Sequence, residues 1–163
     1  MKGGPCPETA MKVCVFSDSH GVPDKLISAI LREGPALFFF LGDGECDLAT
    51  VRSYFPSLPY FAVRGNCDLR SSLSGEIVCT IGGVSFFATH GYLYDVKYEP
   101  TLERLTEAAR AAGASVALFG HTHKALCKRF SGVLCLNPGS IGRGRYAVLS
   151  VADGKCTPEL KTL

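Results

Sequence analysis

Seven residues with side chains of the kind that bind divalent metals each lie at or just beyond the end of an apolar run. They are Asp18, His20, Asp43, Asn66, His90, His121 and His123. The chain has four histidines, and all four are in this set. Imidazole, carboxylate and amide oxygen together form a ligand set for borderline divalent ions such as Mn, Fe, Ni, Co or Zn. Asp18 and His20 are two positions apart, as are His121 and His123. In an extended segment such neighbours face the same way, so each pair can address one ion or two adjacent ions. Seven ligands are too many for one tetrahedral ion. They suit two ions that share a carboxylate, about 3.5–4 Å apart as in two-metal hydrolases. Singly, each piece has an ordinary explanation: Asp-x-His fits a surface loop, and Gly42-Asp43-Gly44 and Asn66 fit plain turns. Together, each at a strand end, they point to a metal centre.

The elements that must position them follow from hydrophobic periodicity. Runs at Met11–Phe16, Ala36–Leu41, Tyr60–Val63, Val84–Ala88 and Ser115–Phe119 are short, apolar and bounded by turn signals, which predicts buried strands. Helical spacing predicts helices over Asp24–Glu33, stopped by Gly34-Pro35, and over Thr101–Ala112, closed by Gly113; Asp47–Tyr54 is a shorter one. Strand–helix alternation implies an α/β layout with parallel strands. Three hairpins add antiparallel strands, turning at Gly82-Gly83, Ser131-Gly132 and Asp153-Gly154. In open α/β sheets, ligands collect outside the carboxyl ends of the strands, where these seven residues fall.

At 163 residues the length fits one domain, expected over 11–163 with residues 1–10 as a disordered extension. A net charge of +2, with only Lys128, Arg129, Arg143 and Arg145 near one another, implies a solvated face and no specific nucleic-acid partner. No run reaches the ~18 apolar residues of a membrane span, and the Gly- and Pro-rich start lacks a signal-peptide core. The eight cysteines form no C-x-x-C pair, and Cys14 and Cys135 lie inside apolar runs. They read as reduced thiols in a cytoplasmic protein, a monomer or weak homo-oligomer.

The ordered segments Asp18-Ser19-His20, Gly42-Asp43-Gly44 with Asp47, Gly65-Asn66-Cys67-Asp68, Thr89-His90-Gly91 and Gly120-His121-Thr122-His123 resemble the calcineurin-like metallophosphoesterase superfamily. With Asn137-Pro138-Gly139-Ser140, they resemble its small bacterial and archaeal phosphodiesterase branch, a relative of the retromer subunit Vps29. The resemblance covers roughly residues 11–160. It implies a four-layer α/β/β/α sandwich, two face-to-face sheets with helices outside, which periodicity alone does not reveal. It also implies a ligand assignment: Asp18, His20 and His123 on the first metal, Asn66, His90 and His121 on the second, and Asp43 bridging both with a hydroxide opposite. The implied cofactor is two divalent transition-metal ions, Mn foremost, with Ni, Fe, Co or Zn as alternatives. The implied substrate is a small-molecule phosphate ester, a phosphodiester above all and a monoester as a lesser one.

One position departs from the wider family. Many members carry histidine after the second-metal asparagine, placed to stabilise or protonate the leaving oxygen; this chain has Cys67 there, and the small phosphodiesterase branch resembles it in this. A thiol is a weak substitute acid. The expected catalytic residues are therefore Asp43, Asn66, Cys67 and His90, with Asp68 orienting a ligand or Arg64 from behind. The likeness to Vps29 allows a second reading, a catalytically weak protein-interaction module. Completeness of the ligand set favours the enzyme, and apolar residues such as Phe55, Tyr60 and Tyr92 cannot be separated from core in sequence.

Overall fold

The strands are apolar without alternation because they are covered on both faces. A computed structural model describes residues 9–163, so the proposed extension lies almost wholly outside the described residues. The order is β1 (Met11–Phe16), α1 (Pro23–Glu33), β2 (Leu37–Phe40), α2 (Glu45–Tyr54), β3 (Tyr60–Ala62), β4 (Glu76–Ile81), β5 (Val84–Thr89), α3 (Glu103–Ala111), β6 (Val116–Leu118), β7 (Leu126–Phe130), β8 (Val133–Asn137), β9 (Arg145–Ala152) and β10 (Lys155–Thr162). One sheet has the order β10-β9-β1-β2-β3 and the other β4-β5-β6-β8-β7. The central strands β1, β2 and β3 run parallel, as do β5, β6 and β8, while the hairpin strands pair antiparallel at the edges.

Side-chain parity builds the layers. Val13 and Val15 of β1 face inward with Phe39, Leu149 and Val151, and meet Phe86, Ala88, Leu118 and Leu136 of the other sheet in a shared core. Their neighbours Cys14 and Phe16 face outward, into a layer with Leu26, Ala29 and Ile30 of α1 and Leu48 and Val51 of α2. On the far side, Leu105 and Ala109 of α3 pack on Phe87, Ala117 and Cys135. The arrangement is α/β/β/α, two mixed five-stranded sheets face to face. Buried on both faces, such parallel strands read as continuous apolar runs.

Sequence periodicity located each of these strands and α-helices, with ends displaced by at most two residues, but not the 3₁₀ turns Tyr92–Tyr94 and Ile141–Arg143. α1 begins at Pro23, whose missing N–H is no loss in a first turn, and ends where Gly34 adopts the left-handed conformation at φ +56°. Lys128, Arg129, Arg143 and Arg145 are all exposed: the first two lie on β7 of one sheet, Arg145 opens β9 of the other, and Arg143 lies in the turn before it. Phe55, Tyr60 and Tyr92 are half-buried, with Tyr60 stacked on Phe38. No described helix is long and apolar enough to cross a membrane.

The seven cysteines among the described residues are free thiols. Burial pushes Cys14 up to about 12 and Cys135 up to about 11, which makes both inert apolar fillers. A reducing agent is therefore expected to leave the melting temperature unchanged. Loss of a native disulfide costs about 2–5 kcal/mol, so a fall of several degrees in a reduced sample would reveal a bridge.

Candidate metal centre

Because β1, β2 and β3 are parallel, their carboxyl ends fall together, and those of β5 and β6 meet them from the other sheet. The loops interlock through the backbone: Asp18 N–H donates to Gly42 O (2.9 Å), His20 N–H to Asp43 O (3.1 Å) and Gly120 N–H to His90 O (2.9 Å). Six of the seven expected ligands converge here. Asp18, His20 and His123 form one group, and Asp43, His90 and His121 another, the ligand atoms within each lying inside 4.8 Å of one another. Asp43 joins the two, its Oδ2 lying 3.7 Å from His20 Nε2 and 3.3 Å from His90 Nε2. Asp18 Oδ1 lies 3.1 Å from His123 Nε2, 3.6 Å from His20 Nε2 and 3.8 Å from His90 Nε2.

Each carboxylate is split by function. Asp18 Oδ2 accepts from Ser17 Oγ (2.5 Å) and His121 N–H (3.1 Å), while Asp18 Oδ1 is buried with no hydrogen-bond partner. Asp43 Oδ1 accepts from Cys67 N–H (2.8 Å), leaving Oδ2 toward the histidines. His90 is fully buried, with Nδ1 2.6 Å from the carbonyl of Leu41. If Nδ1–H donates there, Nε2 presents its lone pair inward, and that Nε2 is the second buried atom without a partner. Two unsatisfied buried polar atoms facing each other are costly unless something satisfies both. A divalent cation fits that pair, since carboxylate oxygen and neutral imidazole nitrogen are both metal donors.

The electrostatics agree. Burial works against the Asp43 charge, but the hydrogen bond and charge of His90 and the Cys67 N–H prevail and hold its carboxyl well below the usual range. Burial also opposes a protonated His90, yet Asp43 and Asp18 outweigh it and raise its pKa. The carboxylates thus favour positive charge at this spot. His121 is pushed down to about 4 by burial and then by the charges of His90 and Lys97, so it is a neutral donor at pH 7.

The backbone is strained at this same place. Nine described non-glycine residues have φ in the left-handed region, and five are Asp18 (+58°), His20 (+44°), Asp43 (+59°), His121 (+67°) and His123 (+59°). Such conformations cost of order 1–3 kcal/mol each and persist where surrounding structure over-determines them, as at functional sites. Close approach fixes two glycines as well. A Cβ at Gly65 would sit 2.0 Å from Asp43 Oδ1, and one at Gly120 would sit 1.9 Å from Ser17 Oγ and 2.7 Å from Asp18 Oδ2.

The model of the calcineurin-like phosphoesterase superfamily domain matches residues 11–154. The chain belongs to that superfamily. It is 34% identical over 154 residues to a probable metallophosphoesterase of Bacillus subtilis, covering 90% of this chain and 88% of that protein. Among solved structures it is similar to a conserved uncharacterised protein of Streptococcus pneumoniae, a predicted phosphoesterase: TM-score 0.79, 25% identity, 95% of this chain and 91% of that one. It shares its fold with Vps29 of Entamoeba histolytica, solved with zinc, at TM-score 0.72, 20% identity and coverages of 93% and 99%. It shares it also with an archaeal phosphodiesterase at TM-score 0.69, 20% identity and coverages of 93% and 100%.

In this phosphoesterase the remaining expected residues take distinct places. Cys67 is exposed, with Sγ inside 4.8 Å of the ligand atoms of His20 and Asp43. Asn66 is exposed beside it, its amide nitrogen 3.5 Å from Cys67 Sγ; among the described residues it makes no hydrogen bond to His90 or His121. Asp68 accepts four backbone N–H bonds, from Asp43 (2.8 Å), Gly44 (3.0 Å), Glu45 (3.1 Å) and Gly65 (2.8 Å), and so ties the β2 loop to the β3 loop. Arg64 instead reaches the carbonyl of Leu73 at 3.5 Å.

Three further residues, Asp47, Asn137 and Ser140, stand in the motif segments without a role that the sequence assigns. Asp47 Oδ2 accepts from Ser19 Oγ (2.5 Å) and Gly21 N–H (2.8 Å), clasping the loop that carries His20. Buried Asn137 donates to Gly120 O and Thr122 Oγ1, both at 2.9 Å, and shapes the loop of His121 and His123. Ser140 Oγ donates to Asp18 O at 2.7 Å. Asp47 and Asn137 stand in motif-like segments, so their positions were visible, but their hydrogen-bond partners were not.

Proposed function

We propose that this chain is a dinuclear metal-dependent phosphodiesterase, with monoesters as lesser substrates. The observation that carries this reading is a carboxylate within reach of both groups: Asp43 Oδ2 lies 3.7 Å from His20 Nε2 of the first and 3.3 Å from His90 Nε2 of its own. Asp18, His20 and His123 would hold one ion, and His90, His121 and Asn66 the other. When bound, two such cations acidify a water and neutralise charge on the phosphoryl oxygens. The chain's own part is positional. Leu41 O orients His90, Cys67 N–H turns the free oxygen of Asp43 inward, and the strained loops hold the donors apart from one another. Kinship of fold with an archaeal phosphodiesterase supports the diester assignment.

The test is activity on a panel of diesters and monoesters after chelation and reloading. Mn²⁺ is expected to restore turnover better than Mg²⁺ or Ca²⁺, because imidazole-rich sites favour borderline ions and the hard ions favour oxygen shells. Equal rates with Mg²⁺ would overturn the ligand assignment.

Cys67 sets the leaving-group preference. Burial, then the Asp43 charge, raises its thiol pKa, so it protonates a departing oxygen poorly. Phenolic diesters are therefore expected to be cleaved faster than alkyl monoesters. General acid catalysis contributes about 10²–10⁴-fold, so Cys67→His should raise rates on poor leaving groups more than on phenolates. An equal effect on both classes would refute the leaving-group account.

The fold shared with Vps29 supports a second reading, a catalytically weak interaction module. Absence of turnover on every ester by a fully metal-loaded sample would favour it.

A further inference from the structure

Four strands stand at the sheet edges, and three of them carry features that discourage further pairing. β3 has only three residues, β7 sets Lys128 beside Arg129, and β10 holds Pro158 among Lys155, Glu159 and Lys161. β4 has none of these features. Its six residues, Glu76–Ile81, carry a single charge, at the first position, and no proline. An unprotected edge of this kind is a template for pairing with another strand.

The hairpin register decides which backbone groups the edge leaves open. β4 joins β5 through Gly82-Gly83, both at positive φ (+54° and +78°), a two-residue turn that makes Ile81 and Val84 a hydrogen-bonded pair. Alternation then turns the N–H and C=O of Ile77, Cys79 and Ile81 toward β5, and those of Glu76, Val78 and Thr80 toward the edge. Ser74 Oγ covers Glu76, donating to its carbonyl at 2.7 Å and accepting from its N–H at 3.3 Å. Val78 and Thr80 keep their N–H and C=O groups open, with no partner among the described residues. Their side chains are exposed on the outer face, Val78 by 52%, while Ile77, Cys79 and Ile81 pack toward the other sheet.

We propose that β4 pairs antiparallel with β4 of a second copy of this chain, about a two-fold axis at Cys79, which joins two five-stranded sheets edge to edge. Val78 then faces the partner subunit's Thr80, and Thr80 faces the partner subunit's Val78. Each of these two pairs exchanges two hydrogen bonds, so every open group on both copies is used. Other registers use groups already engaged. Centring on Val78 calls on Glu76, which Ser74 covers; centring on Thr80 calls on Gly82, whose carbonyl accepts from Gly154 N–H at 2.8 Å. A second copy suits this edge because Ile77–Ile81 has no charge to set against itself, whereas β7 paired with itself would oppose like charges. A two-fold contact between identical patches also closes the assembly at two chains. Cys79 meets the partner subunit's Cys79 as a non-hydrogen-bonded pair, with Cα atoms about 4.5 Å apart, within the span of a disulfide.

Sedimentation equilibrium on the whole chain tests it. One strand pair is a small interface, so the expected result is a reversible dimer with a dissociation constant on the order of 10–100 µM. Thr80→Pro removes one open N–H at an edge position that tolerates proline. Val78→Lys brings like charges together near the axis. Each should weaken the dimer by about ten-fold or more. Should Thr80→Pro fail to fold, Val78→Lys, a change at an exposed side chain, decides the matter. Diamide, a diazene that takes up two hydrogens as two thiols become one disulfide, should join the chains, and peptide mapping should find Cys79 bonded to Cys79. A single chain's mass at every concentration up to about 1 mM would leave the edge to a strand of another protein and overturns the proposal. A dimer that persists unweakened in Val78→Lys overturns it too, as does one in which oxidation never joins Cys79 to Cys79.

Discussion

Asp43→Asn is expected to cut bound transition metal from about two ions per chain to about one, and to lower diesterase activity by roughly 10³-fold or more, the scale of removing several kcal/mol of charge stabilisation. Asp43 is 3% exposed, its Oδ1 is engaged by Cys67 N–H, and its Oδ2 faces His20 and His90. Asparagine keeps the size and one oxygen. It loses the negative charge that favours cations at both groups, and its NH₂ must take the place of one carboxylate oxygen. On the proposed bridging by Asp43, the variant should lose one ion without losing the Asp18–His20–His123 group. Elemental analysis and titration calorimetry check this. A stoichiometry equal to that of the wild type, at any activity, would disprove the shared-carboxylate assignment.

Asp68→Ala is expected to lower the melting temperature by about 5–10 °C and to weaken metal binding by about 10–100-fold, although Asp68 lies in neither ligand group. Its two oxygens accept four backbone N–H bonds: Oδ1 from Gly44 and Glu45, Oδ2 from Asp43 and Gly65. Burial alone would raise its pKa, but these donors lower it below the ordinary carboxylate value. Alanine leaves four N–H groups without their acceptor. Allowing for water at a half-buried site, the loss is about 2–4 kcal/mol. Asp68→Asn should be milder in stability, because its carbonyl can serve one N–H pair, while its NH₂ opposes the other. A metal dissociation constant unchanged in Asp68→Ala would show that the Asp43 loop is positioned without it.

Much of the candidate site was legible before any coordinates because its signals are local. Strand runs such as Met11–Phe16 end where Asp18 and His20 begin, and a parallel strand must deliver its carboxyl end to one edge of the sheet. The histidine inventory was equally plain, since no histidine lies elsewhere. Asn66 was less legible. Its type and position mark it as a ligand, and in the structure it is exposed with its amide nitrogen on Cys67. Side-chain orientation on an exposed loop is not a matter of local sequence.

What the chain's sequence determined alone was the set of donors, the elements that carry them and the glycines between them, because periodicity and turn chemistry act over a few residues. Tertiary structure decided the rest. Val13 and Val15 face a second sheet instead of a third helix, a choice made by packing among residues far apart in the chain. Asp43 lies within reach of both ligand groups, Asp68 ties the Asp43 and Gly65 loops, and Asn137 shapes the loop of His121 and His123. Each joins loops that local rules treat independently, and only their separation after folding, down to the 2.0 Å that forbids a Cβ at Gly65, makes them one site.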